Sequence, residues 1–197
     1  MKFLATIFAI LFSSVLQAQT IKYQNLLDTA ITFNGQLFVD AKPITEIRLD
    51  QNELRNYFYI FRDYEKSTLD TIMLLEIISN SKKPDTTVWL DTELNKFILV
   101  NDRNENVDLK YVIHKFQLID KKQIKFYRQK VNKINSTDNY DKNIYSYSRP
   151  VFDNSKNFAI IQWDNGHSGL GGGGGIILYQ FTEGNWKRLG NITFWKY

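Results

Sequence analysis

The sequence predicts an α+β domain in which N-terminal helices precede a mostly antiparallel sheet that ends in a four-stranded C-terminal meander. Two observations carry this reading. In the first half, apolar residues recur at helical spacing behind capping residues, as in "DQNELRNYFYIFRDYEKS". In the last third, four β-rich runs are separated only by short turn segments, and short connections join antiparallel strands because a parallel crossover needs a dozen residues or more. The 197 residues suffice for one core of ordinary size, so 19–197 is read as a single domain behind a signal peptide at 1–18.

The leader "MKFLATIFAILFSSVLQAQT" has a short basic start at Lys2, an apolar run from Phe3 to Phe12, and small and polar residues up to Ala18. This is the layout of a cleavable signal peptide. Its apolar run falls short of the roughly 20 residues that span a bilayer. The expected destination is therefore the periplasm or the medium, and the mature chain is not expected to be an integral membrane protein. With no cysteine in the chain, a lipid-anchored lipoprotein and a disulfide scaffold are both excluded.

Next, "IKYQNLLDTAITF" and "GQLFVDAKPITEIRL" suit helix and strand equally, with Pro43 as an interruption. Asp50 is a fitting N-cap with Glu53 three residues on, and Leu54, Tyr57, Phe58 and Phe61 follow at helical spacing. Ser67 and Asp70 repeat the pattern ahead of an apolar run through Ile78, with Pro84 beyond its end. The period then changes: "TTVWL", "KFILV" and "KYVIHKFQLI" are rich in β-branched and aromatic residues and read as strands. "DKKQIKFYRQKVNK" places Ile124, Tyr127 and Val131 on one side of a basic helix, and Asn135 to Asn143 reads as a polar loop. The four closing runs are "IYSYSRPVF", "FAIIQW", "IILYQF" and "WKRLGNITFWKY". Pro150 lacks a donor, so the first should lie at an edge or pair on one side only there.

Several activities are excluded or left without support. Without Lys2 the chain has 24 basic and 21 acidic residues, a net charge of +3, which is no footprint for nucleic acid; the basic helix is read as a solvated face. Gly169, Gly171 and Gly174 spell G-x-G-x-x-G, but they lead into a β-like run where dinucleotide binding requires a helix N-terminus. "GHSGL" imitates a nucleophile turn and fails at Leu170, where glycine belongs. Two histidines and no cysteine predict no metal site, and no cofactor is expected. His114 reads as an ordinary strand residue.

Five consecutive glycines, Gly171 to Gly175, would cost about 2.5 to 5 kcal/mol if ordered, at about 0.5 to 1 each relative to alanine. Either the segment stays mobile, or aromatic rings from Trp163, Trp186 or Trp195 cover it, or the bare backbone serves a ligand or partner strand.

The segment "YSRPVFDNSKNFAIIQWDNGHSGLGGGGGIILYQFTEGNWKRL…FWKY", through Ser148, Pro150, Phe152, Gly169, Gly171, Gly184, Trp186 and Trp195, resembles the C-terminal part of exported proteins of unknown function from Bacteroidota-type bacteria. The resemblance implies a β-meander and no particular chemistry. The expected function is non-catalytic binding of a protein or small ligand, with Trp163, Asp164, His167, Ser168, Gly171 and Gly173 as candidate contacts. The alternatives are an envelope or extracellular hydrolase using Ser168 or Asp164 with His114 or His167, and an immunity-type protective partner in the periplasm.

Overall fold

The computed structural model describes residues 20–31, 36–49, 71–139, 141–166 and 171–197. The signal segment, the helix read at Asp50–Ser67 and the Ser67/Asp70 capping pair lie outside these residues.

Residues 20–31 form helix α1. Leu26, Leu27, Ala30 and Ile31 are all buried along one side, and this spacing resolves the ambiguous first segment as a helix. Helix α2, Thr71–Ser81, buries Met73, Leu74, Ile77 and Ile78. It ends where Ser81 Oγ donates to the Ile78 carbonyl at 2.9 Å, shortly before Pro84.

Strands β1 (Phe38–Asp40) and β2 (Ile98–Val100) pair in parallel. The antiparallel sheet holds β3 (Ser146–Tyr147), β4 (Val151–Phe152), β5 (Phe158–Asp164), β6 (Gly173–Thr182) and β7 (Asn185–Lys196). Its order is β3-β5-β6-β7, with β4 also pairing β5. Thus "IYSYSRPVF" is one strand interrupted at Arg149 and Pro150, and the four closing runs form the expected meander. Parallel bridges from Val39 to Tyr145 and from Ile44 to Ser148 join β1 to the outer side of β3. Beyond Pro150, β4 has β5 as its one strand partner among the described residues. At the other end of the meander, Glu183 (φ 54°) and Gly184 (φ 81°) make a two-residue turn, the kind whose twist matches a hairpin.

Alternation along β6 explains the layers. Ile177 and Tyr179 face α1 together with Ala159, Ile161 and Trp186. Ile176 and Leu178 face α2 with Ile160 and Ile192. Period-two strands buried on both faces require such cover. A third cluster packs Val112, Val131 and Ile134 against Phe38, Ile98, Val100 and Ile144.

Two strand expectations are corrected. "KYVIHKFQLI" forms helix α3, Leu109–Lys115. Asp108 caps it, its carboxylate accepting from Lys110 N at 2.8 Å, and Leu109, Val112 and Phe116 pack at helical spacing. Capping and period outweigh β-branched composition here. "TTVWL" is extended but forms no strand. The Thr87 and Val88 carbonyls are held by Arg149 rather than by a neighbouring ladder. "KFILV" does supply β2. Helix α4, Lys121–Ser136, is the expected basic helix, capped by Asp120, with Val131 and Ile134 buried. It continues two residues into the segment read as loop.

Arg149 is the main tie between these layers. The buried guanidinium donates to the Thr87 and Val88 carbonyls, to Tyr23 Oη of α1, and to both oxygens of Glu93, and it lies 4.0 Å from the Trp89 ring centroid.

Candidate functional site

At the end of the meander where β5 leads to β6, the last three glycines of the run, Gly173 to Gly175, open strand β6. Gly174 faces Trp195 in register and Gly175 lies between Trp163 and Phe194. A methyl at Gly174 would overlap the Trp195 indole, and one at Gly175 would sit 2.9 Å from Thr193 O and 3.2 Å from Trp163 Nε1. Two indoles, one on each face, occupy the volume that the missing side chains leave. Trp186 is elsewhere, its indole N–H donating to the Lys22 carbonyl at 2.8 Å.

The same end of the sheet carries a cleft of about 380 Å³. Its floor is set by Gln162, a buried polar residue that follows the apolar run 158–161 of β5. The Gln162 amide accepts from Arg48 N at 2.7 Å and donates to the Glu46 carbonyl at 3.2 Å, fixing the 46–48 segment over the sheet. Ser148 Oγ accepts from Gln162 N at 2.9 Å, which locks β3 to the same point.

Asp164 lines the cleft and is already engaged. Its Oδ2 accepts from Tyr197 Oη at 2.6 Å and Trp195 Nε1 at 3.3 Å, and its Oδ1 accepts from Gly166 N at 2.7 Å. Arg48 closes this side, 4.9 Å from the Trp195 ring centroid and donating to Tyr197 Oη at 3.4 Å.

The opposite wall is less complete. Asp40 Oδ1 accepts from Lys42 N at 2.9 Å. Its Oδ2 lies 3.5 Å from Ser146 Oγ and 3.9 Å from Arg103 Nε. Burial pushes the Asp40 carboxyl above the usual aspartate range, and the Lys42 N–H and the Arg103 charge only partly offset it. Arg103, which lines the same cleft, donates to the Gly166 carbonyl at 3.3 Å and the Ile144 carbonyl at 3.0 Å.

The candidate contacts read from sequence separate in space. Asp164 lines the cleft, whereas Trp163 is on the other face, its ring stacked on Tyr145 at 5.8 Å. Gly173 is buried in β6, and Gly171 is exposed, with open space for 4 Å around the point where a side chain would begin. His167 and Ser168 lie outside the described residues. His114 is exposed on α3 and is not part of the cleft wall. Asp40, Arg48, Arg103 and Tyr197 join the site without having stood out in the sequence. Gln162 carries a legible signal, a lone amide directly behind an apolar run, whereas Arg103 in "NDRNENVD" carries none. Among the described residues no three His, Asp or Glu side chains come together as metal ligands do, and no helix is long and apolar enough to cross a membrane. No family model, curated protein or solved structure matches the chain.

Proposed function

We propose that the chain is an exported, non-catalytic binding protein whose cleft between Asp40, Arg103 and Asp164 takes a small polar ligand carrying both signs of charge. The observation that carries this reading is the Asp40–Arg103 pair, 3.9 Å apart across the wall of an open cleft. A ligand anion facing Arg103 and a ligand ammonium facing Asp40 would each gain a charge-assisted hydrogen bond. The engagement of Asp164 by three donors favours binding over proton transfer, because a general base needs a lone pair within reach of substrate.

Calorimetric titration with glycine, acetate and methylammonium as probes tests this. The zwitterion binds more tightly than either single charge, and Arg103→Gln weakens glycine binding at least tenfold, about 1.4 kcal/mol. Indifference to all three probes, or equal affinity for acetate and glycine, sinks the reading.

A further inference from the structure

Helix α4 carries Lys121, Lys122, Lys125, Arg128, Lys130 and Lys133 and no carboxylate within its length. All six cations are exposed. Among the described residues none of them forms a salt bridge, in contrast to Lys96, Lys115 and Arg149. The helix has neither the alternating charges nor the i,i+4 ion pairs that support an exposed helix face.

Apolar side chains break the basic face. Phe126 is 50% exposed and Ile119, just before the helix, is 90% exposed. The helix has already committed Val131 and Ile134 to the core, with Ile124 and Tyr127 half-buried beside them, so Phe126 is surplus to packing. At 3.6 residues per turn, Phe126 shares its stripe with Lys122, Lys130 and Lys133, and Lys130 Nζ lies 5.4 Å from the Phe126 ring centroid. The same stripe leads to a hollow of about 600 Å³ lined by Lys130, Lys133, Asn143, Asn165, Tyr145 and Asp141.

We propose that this face of α4 docks on an anionic lipid surface, with Lys122, Lys130 and Lys133 at the level of the headgroups and Phe126 and Ile119 inserted between them. Charge complementarity selects the occupant. Lysines near an anionic leaflet attract it, and aromatic and aliphatic side chains at the same level bury themselves at the acyl boundary. A nucleic acid would satisfy the cations but offers nothing to an exposed isoleucine, which cannot stack on bases. The surface is separate from the charged cleft and does not depend on it.

Sedimentation of the full chain with vesicles tests the proposal. The protein should pellet with phosphatidylcholine vesicles that contain phosphatidylglycerol, should stay in solution with phosphatidylcholine alone, and should be released by salt. Each lysine contributes about fivefold, so Lys122→Gln with Lys130→Gln lowers partitioning about 25-fold. Phe126→Ser lowers it a further severalfold. Lys187→Gln with Lys196→Gln, on β7, removes the same charge elsewhere and leaves partitioning within about twofold. These are surface substitutions, and an unchanged circular dichroism spectrum checks that each variant folds. Equal binding to both kinds of vesicle overturns the proposal, as does an equal loss in the β7 variant. So does binding of duplex DNA through the α4 lysines with no vesicle binding.

Discussion

At the scale of single residues, the glycine run and Arg149 follow opposite rules. Gly174 is required because an indole fills its side-chain volume, so Gly174→Ala should destabilise the protein by about 1 to 3 kcal/mol through overpacking. Gly171→Ala meets nothing and should stay within about 0.5 kcal/mol; urea unfolding of the pair distinguishes a packed glycine from a tolerated one. Arg149 is held by five acceptors, and Arg149→Met leaves two carbonyls without their side-chain donor and Glu93 with the Leu90 N–H alone, at a cost of about 3 to 5 kcal/mol. Asp40 titrates in the reverse sense to a salt-bridged carboxylate. Because its folded-state pKa is raised, the charged carboxylate opposes folding above that pKa. The penalty fades as pH falls through it towards the ordinary aspartate value. Asp40→Asn should therefore be more stable than the parent at neutral pH and lose that advantage in acid, as melting temperatures measured across pH would record.

At the scale of elements, the hairpins and capped helices are legible in the sequence and the segments held by side chains are not. The meander is readable because Gly184, the "DNSKN" turn and short unbroken apolar runs are local signals. Helix α4 is readable from Asp120 and a 3.6-residue period. Helix α3 misleads because its residues favour strands, although Asp108 in front of it gives the correct answer; Asp108→Ala should cost about 1 kcal/mol. "TTVWL" misleads because its carbonyls are claimed by a guanidinium about sixty residues away in the chain, and no local pattern records that. The cleft is half legible for the same reason: Asp164 stands out in "WDNG", whereas Asp40 and Arg103 come to it only through parallel bridges and loop contacts. One element carries avoidable strain. Glu183 sits at φ 54°, a region that costs non-glycine residues about 1 to 2 kcal/mol, and Asn tolerates it better. Glu183→Asn should therefore raise the unfolding midpoint, a gain that would be absent if the turn opened in solution.

At the scale of the whole molecule, strands from both ends of the chain form one continuous set, β2-β1-β3-β5-β6-β7, with helices over each face of the meander. The central strands β5 and β6 are buried on both sides. Their amides should exchange with deuterium only through global opening, with those of α4 exchanging earlier, a ranking that residue-resolved exchange would test. The bridge between Val39 and Tyr145 adds a dimension of time. It closes a loop of about a hundred residues, and such closures come late because chain entropy must be lost before the contact rewards it. The meander, built from neighbours in sequence, can form beforehand without it. Val39→Ala should therefore speed unfolding while leaving the refolding rate almost untouched. In a cell, the last step of maturation for this chain would be the capture of β1 by a finished C-terminal sheet, and until that capture the Tyr145 edge of the sheet would stand open.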